Sequence, residues 1–415
     1  MAQTYDAIVI GAGVMGASSA MHLTGAGLKR VLVLEKAPGV GFGSTGRSTA
    51  CIRQTYSQVE VTRMAFEALQ LFKNWRDFTG LEEPKGDFRN SGVLFLFPAG
   101  EPSLPTILAN HRAVGVVSHL ADRKERQEEF PDFDFCSTPL DLDADAHDCA
   151  YESEALVEPE GGFADPVGTA EDMLEVARRR GTEVRFNARV EAVLQAGGKV
   201  SGVRVTEKSG GGEFHAPVVV NCAGPWAAGL NGAAGAPLKA RLVVTRNQIV
   251  SKHFPEKLKG RFPVLIDMIN GIYGRPEASG QSLLFGSVRE EDEREEVADP
   301  DDYNEVADAP FREEKQVLLH HRVPTFQKRG RVSSYCGLYT VNQDDYHPII
   351  DETSLEGFFA VCGFSGHGFK LSPIVGTLVA KKVTGHWGLI ETGVPEDFFG
   401  RNRAPLKTHW GGVIA

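Results

Sequence analysis

Apolar positions recur along this chain with two alternating periods, and the changes of period mark its elements. "DAIVIGAGVMGASSAMHL" begins with the apolar run Ala7 to Ile10, which predicts a buried strand, and continues past its glycines with helix-like spacing. "KRVLVLEK" predicts a second buried strand ending at Glu35. In "VTRMAFEALQLFKNWRDFTG", residues 61–80, Met64, Ala68, Leu71 and Trp75 keep helical spacing, while Leu69 and Phe72 widen the stripe. "SGVLFLFPAG" reads as a strand, and residues 100–157 are mixed and acidic without a strong period. From residue 161 the α/β alternation returns: a capped helix over 169–180, a strand around 184–186, a glycine-turned hairpin, and a strand running into "VVVNCAG". Residues 241–290 are strand-rich ("RLVVTRNQIVS", "GIYGRP", "SLLFGSV") and predict an antiparallel second domain. The chain closes with a turn in "SYCGLYTVNQDDYHPIID", an apolar strand, the glycine loop "CGFSGHGFK" and a helix.

The pattern predicts an α/β fold of two discontinuous domains. A Rossmann-type domain takes residues 1–89, 158–236 and 333–415, and a mainly antiparallel sheet domain takes 90–157 and 237–332. A net charge of -11 argues against nucleic acid or an anionic membrane as the main partner, so an anionic substrate would need local cations. Six scattered cysteines (Cys51, Cys136, Cys149, Cys222, Cys336, Cys362) lack metal-like spacing and read as buried thiols rather than a disulfide frame. The N-terminus has no basic leader, and no apolar run reaches membrane-spanning length; the expectation is a cytoplasmic protein. "DLDADAHD" at 141–148 and "REEDEREEVADPDD" at 289–302 read as solvated surface, and no metal is expected.

Chemistry concentrates at the glycines. Gly11, Gly13 and Gly16 stand between a strand and a helix, and Glu35 follows nineteen residues past Gly16 at the end of the next strand. In this context Gly11 permits the tight turn, Gly13 admits a pyrophosphate, Gly16 lets helix and strand close, and Glu35 accepts ribose hydroxyls. This fingerprint fits either NAD or FAD. The Gly/Ser/Thr-rich "GVGFGSTGRSTACIRQTYS" has the look of a loop packed along an extended cofactor.

Four blocks, "IVIGAGVMGASSAMHL", "GSTGRSTACIRQTYS", "VVVNCAGPWA" and "CGLYTVNQDDYHPIID" with "CGFSGHGFKLSP", resemble the FAD-dependent amine and amino-acid oxidoreductases of the D-amino-acid oxidase superfamily. Within that superfamily the blocks are similar to those of sarcosine oxidases, including their beta subunit, and of dimethylglycine dehydrogenases. The resemblance implies FAD, a glutathione-reductase-like FAD domain, and a substrate sheet covering the flavin. Cofactor contacts are then expected from Gly11, Gly13, Val14, Met15, Gly16, Glu35 and Lys36, from Ser44, Thr45, Arg47, Ser48 and Thr49, and from Val190. Cys222, Ala223, Gly224 and Trp226 follow, then Gly337 and Tyr339, then Gly363, Phe364, Ser365, Gly366, His367, Gly368, Phe369 and Lys370. The resemblance also makes Arg53 and Lys370 a clamp for a substrate carboxylate, with Tyr339 lining the cavity and His367 a structural imidazole. A planar guanidinium fork and an ammonium suit that task.

Two departures from the family pattern modify these expectations. The covalent flavin cysteine of monomeric sarcosine oxidase aligns with Gly337, with Cys336 one residue early, so FAD is expected to be noncovalent. The oxygen-activating lysine aligns with Leu284 and a nearby active-site histidine with Val288, which leaves both O2 and another electron acceptor open. The expected reaction is oxidation of the C–N bond of a secondary or N-methylated amino acid. A 2-hydroxy-acid dehydrogenase, or a flavin-binding subunit or assembly factor without independent turnover, stand as alternatives. A homo-oligomer or a hetero-subunit partner is left open.

Overall fold

The computed structural model describes residues 3–144, 147–207, 210–408 and 414. The strands Ala7–Ile10 and Val31–Leu34 are buried at every position, as strands covered on both faces must be. Their alternate side chains part to opposite sides. Val9 and Val33 meet the helices Val14–Gly25, Pro166–Arg179 and Gly368–Thr384, whereas Ile8, Ile10, Leu32 and Leu34 pack toward the hairpin Ala188–Ala196 and Lys199–Glu207.

The central sheet has six strands in the order Glu183–Arg185, Val31–Leu34, Ala7–Ile10, Val219–Asn221, Phe358–Cys362 and Ile349–Glu352. All neighbours are parallel except the last pair. The strand order reverses direction beside Ala7–Ile10, and ligands of such sheets bind at the carboxyl ends of the strands near that point.

The second large sheet has eight strands in the order Ser333–Asn342, Leu242–His253, Ser282–Ser287, Ile272–Pro276, Val264–Asp267, Val93–Phe97, Glu154–Glu158 and His119–Leu120. It is antiparallel apart from the pairing of Val264–Asp267 with Val93–Phe97. The strand Ser333–Asn342 lies in this sheet, although the sequence assigns 333–415 to the nucleotide-binding part. Ten consecutive residues pair it in register with Leu242–Ser251, which no local pattern reveals.

Several elements differ from the sequence reading. The helix expected over 61–80 is two, Val59–Lys73 and Trp75–Thr79, because Asn74 leaves helical geometry (φ -118, ψ 34). The indole Nε1 of Trp75 donates to buried Asp172 at 2.8 Å and turns the short helix toward Pro166–Arg179. That helix starts at Pro166 rather than 169, because the Asp165 carboxylate accepts from Gly168 N at 2.6 Å and Pro166 fits the first turn.

The reading of six free thiols is corrected: Cys136 and Cys149 form a disulfide, while Cys51, Cys222, Cys336 and Cys362 are free. Their 13-residue separation in an acidic loop carries no motif that signals pairing. The charge run at 289–302 is also more than solvated surface. Asp301 pairs with Lys36 and Arg189, and Glu295 pairs with buried Arg246. Within "DLDADAHD", residues 145–146 lie outside the described residues; the rest is exposed where described. Among the described residues no helix is long and apolar enough to cross a membrane.

Candidate active site

Two adjoining cavities lie where the sheets meet. The larger, about 800 Å³, begins at Glu35 and Lys36, passes Gly11, Gly13, Val14 and Met15, and ends at the loop Gly363–Gly366. The smaller, about 80 Å³, is bounded by Thr49, Cys51 and Arg53, by Ile266, Tyr273, Ser287 and Val288, and by His367 and Lys370. Ser48, Tyr339, Ser365, Gly366 and Phe369 line both, so the junction lies at this group.

The large cavity follows from local sequence. A Cβ on Gly16 would come within 1.9 Å of the Gly11 carbonyl oxygen, so only glycine lets the helix Val14–Gly25 start this close to its strand. That start directs helix N-terminal amides at the cavity, the arrangement that favours phosphate. The Glu35 carboxylate is held by Ala12 N and Ala37 N, each at 2.8 Å, and lines the same cavity. Thr45 Oγ1 accepts from Val14 N at 3.0 Å and ties the Gly/Ser/Thr loop to the helix. At the other end Gly366 sits at φ +84, and a Cβ there would meet the Tyr339 ring at 2.7 Å. Helix amides for phosphates, a carboxylate for ribose, and a long channel ending in Tyr339, Phe364 and Phe369 match the needs of a flavin dinucleotide.

Of the residues expected at the cofactor, Gly11, Gly13, Val14, Met15, Glu35, Lys36, Ser44, Thr45, Ser48, Val190 and Cys222 line the large cavity. So do Ala223, Gly224, Trp226, Tyr339, Gly363, Phe364, Ser365, Gly366, Gly368 and Phe369. Thr49, His367 and Lys370 face the small one. Gly16 works from behind the turn. Arg47 pairs with Glu305 at 2.9 Å and covers Gly337, so neither lines a cavity. Cys336 also lies away from both; its thiol is buried beside the Arg246 guanidinium at 3.5 Å. Leu284 lines neither cavity, and Val288 lines the small one.

Arg53 and Lys370 converge although 317 positions separate them. Arg53 is 5% exposed, stacks over the Tyr56 ring at 4.5 Å and donates to the Thr55 carbonyl. Its segment is fixed from below by fully buried Glu158, whose carboxylate accepts from Gln54 N at 2.8 Å and from the Thr55 hydroxyl. Lys370, 6% exposed, donates from Nζ to the Gly366 carbonyl at 3.4 Å and forms no ion pair among the described residues. Burial first, and the Arg53 charge second, push the Lys370 ammonium down to about 7. Two buried basic side chains, Arg53 and Lys370, thus face one small cavity. His367 meets the Tyr56 ring edge-on, with centroids 5.4 Å apart, as a packed imidazole would.

Sequence reasoning missed the sheet-domain wall of the small cavity: Ile266, Tyr273 and Ser287 belong to strands whose cavity-facing register depends on long-range pairing. It also missed Glu296, Val297, Ala298 and Pro300, the part of the charge run that covers the large cavity. The Val297 amide donates to the Val244 carbonyl at 2.8 Å and pins this cover. The signal available was Val297-Ala298, the apolar break in an otherwise charged stretch.

A nucleotide-binding parallel sheet, roofed by an antiparallel sheet with a cationic pocket between them, defines a flavin-dependent oxidoreductase. The chain belongs to the DAO family, FAD dependent oxidoreductase, which matches residues 6–382. It is 28% identical to the FAD-dependent oxidoreductase domain-containing protein 1 of Xenopus laevis, over 91% of this chain and 79% of that protein. It is 27% identical to the mitochondrial sarcosine dehydrogenase of Homo sapiens, over 95% of this chain but only 40% of that protein's length. Among solved structures, the L-proline dehydrogenase from P. horikoshii superposes with a TM-score of 0.79 at 24% identity, over 97% of this chain and 98% of that one. The protein is therefore an FAD-dependent enzyme of this family and fold.

Proposed function

We propose that this enzyme oxidises the C–N bond of a small secondary or N-methylated amino acid, such as sarcosine or a cyclic imino acid, to an imine that water hydrolyses. The observation that carries the reading is the paired burial of Arg53 and Lys370 around a cavity of about 80 Å³ that shares the wall residues Tyr339 and Gly366 with the large cavity. The guanidinium fork and the ammonium hold the substrate carboxylate. Tyr273, Ile266 and Val288 then form a mostly apolar wall against the amine substituent and exclude water. Held this way, the substrate α-carbon faces the end of the large cavity, where FAD when bound supplies the hydride acceptor. No carboxylate lines the small cavity among the described residues, and Lys370 is engaged as an ammonium by the substrate carboxylate, so the amine proton leaves to solvent rather than to a side chain of this cavity.

FAD is held noncovalently in this reading, since Cys336 points to Arg246 and not into the cavity. The residues expected at the cofactor that line the large cavity form its binding surface. Relatives named as sarcosine dehydrogenase and, from Streptomyces avermitilis, monomeric sarcosine oxidase support the amine substrate class. Apart from Arg53 and Lys370, no lysine or arginine lines the small cavity among the described residues, which favours an electron acceptor other than O2.

The test is an anaerobic panel of N-methyl amino acids, cyclic imino acids, D-amino acids and 2-hydroxy acids mixed with the oxidised holoenzyme. Bleaching by the first two groups supports the proposal. Bleaching only by 2-hydroxy acids transfers the clamp to a hydroxy-acid dehydrogenase, and bleaching by none favours a flavin-binding subunit. Readmitting air then reports whether oxygen takes the electrons.

A further inference from the structure

Away from both cavities, four metal-ligating side chains gather in the eight-stranded-sheet region. Cys136 is buried and joined to Cys149, with Cα atoms 5.6 Å apart. His147 places Nε2 3.2 Å from Cys136 Sγ. Its ring meets that of His321 edge-on, with centroids 4.5 Å apart. One ligating atom from each of Cys136, His147 and His321 lies within 4.8 Å of the other two. His321 Nε2 is buried and has no hydrogen-bond partner among the described residues. A buried imidazole nitrogen without a partner is costly unless something else occupies it.

We infer that reduction of the Cys136–Cys149 disulfide opens a Cys2His2 site for Zn2+, made of Cys136, Cys149, His147 and His321. A dithiol reductant, protein-bound or small, supplies two electrons and two protons. The S–S bond breaks, two cysteine thiols form, and the reductant leaves as its own disulfide. Zn2+ then displaces the two thiol protons, and both thiolates and two neutral imidazoles coordinate it. Two sulfurs and two nitrogens form a tetrahedral structural donor set that selects zinc over Mg2+ or Ca2+.

The frame around the site is built independently of the metal. Arg322, next to His321, is fully buried, pairs with Asp267 and donates to the Cys136 carbonyl at 3.1 Å. It therefore fixes the Cys136 backbone against the end of the helix Ala309–Arg322 in either redox state. Its charge is matched by Asp267, and the two thiolates would balance the metal. The disulfide faces a cleft of about 480 Å³ bordered by Arg123, Arg126 and Tyr151, which gives a reductant access. In a reducing environment the metal takes over the cross-link that the disulfide provides in an oxidising one.

The test uses the full-length holoenzyme, reduced with a phosphine, desalted anaerobically and titrated with Co2+. The expected result is one Co2+ per reduced chain, with tetrahedral d–d bands in the red, beyond the oxidised flavin absorption, that disappear when Zn2+ is added. The unreduced protein should show none of these bands. His321→Ala and Cys149→Ser should each lose the tetrahedral spectrum and weaken Co2+ binding more than about tenfold, with flavin content unchanged. Absence of the bands in the reduced wild type would overturn the site, as would equal binding before and after reduction or an unaltered spectrum in His321→Ala. Because the wild-type comparison needs no substitution, a variant that fails to fold does not rescue the proposal.

Discussion

Lys370→Met tests the cationic pocket most sharply, because the same ammonium governs both stability and ligand binding. Burial and the neighbouring Arg53 charge lower Lys370 from its ordinary 10.5 to about 7. That difference corresponds to roughly 5 kcal/mol of penalty for the charged form in the empty site. In the unfolded chain the lysine stays protonated up to its ordinary value, so between about 7 and 10.5 the unfolded state binds the extra proton. Stability of the unliganded protein from this group therefore rises with pH across that window and sits at its low plateau below it. Methionine, similar in length and apolar, removes the penalty, so Lys370→Met should be more stable at pH 6.5 by up to about 5 kcal/mol.

A bound carboxylate reverses the balance, since it pairs with the ammonium and draws a proton onto Lys370. Wild-type affinity for a simple carboxylate such as propionate should be flat below pH 7 and then weaken toward tenfold per pH unit. Lys370→Met should abolish that slope and weaken binding at pH 6.5 by about 10- to 100-fold, the worth of a hydrogen bond to a charged group. The assay is the flavin difference spectrum on propionate titration from pH 6 to 9, with urea unfolding of the apoprotein in parallel. A wild-type affinity independent of pH, or a variant that keeps the wild-type slope, would refute the assignment.

Arg53→Ala should raise KM for the substrate by about 100-fold or more with the oxidised flavin spectrum preserved, because a bidentate carboxylate contact is lost; unchanged KM for every carboxylated amine tested would remove Arg53 from the clamp. Glu158→Gln should lower kcat/KM without touching the ligand directly, by loosening the backbone of Gln54 and Thr55, and propionate affinity should fall with it. His22 is fully buried and neutral, with burial pushing it down to about 3, so the unfolded state gains a proton as pH falls below the ordinary 6.5. Its share of stability should drop by about 1.4 kcal/mol per pH unit from there toward 3, and urea midpoints of His22→Gln should lack that component. Acid precipitation should release all FAD into the supernatant, in wild type and Cys336→Ser alike; yellow pellets would indicate a covalent link. Gly366→Ala should lose flavin, since its Cβ meets the Tyr339 ring and its φ is left-handed.

What could be read from the sequence follows the range of the forces involved. The turn from Gly11 to Gly16 and the acid at Glu35 are set within one strand–helix–strand unit, so spacing alone reveals them. The convergence of Arg53 with Lys370 came from motif resemblance, because nothing local ties "CIRQTY" to "GFK". Ile266, Tyr273 and Ser287 were hidden for a different reason: a strand's alternation tells which residues share a face, but not what that face covers. Pairing of Ser333–Asn342 with Leu242–His253 is likewise a long-range decision, and the sequence pattern there shows only a turn. Cys136 and Cys149 are brought together by the loop conformation and by Arg322, 173 residues beyond Cys149.

The claim that the carboxylate clamp presents a C–N bond to the flavin is tested most directly by single-turnover reduction of the holoenzyme without oxygen. Sarcosine and L-proline are compared with dimethylamine and pyrrolidine, which keep the reacting amine and lack the carboxylate. The account predicts that at least one carboxylated amine bleaches the flavin, at least about 100-fold faster than its decarboxylated counterpart at equal concentration, and that Arg53→Ala erases most of the difference. Equal rates for the two members of each pair, or bleaching by 2-hydroxy acids with none by the amines, would contradict it.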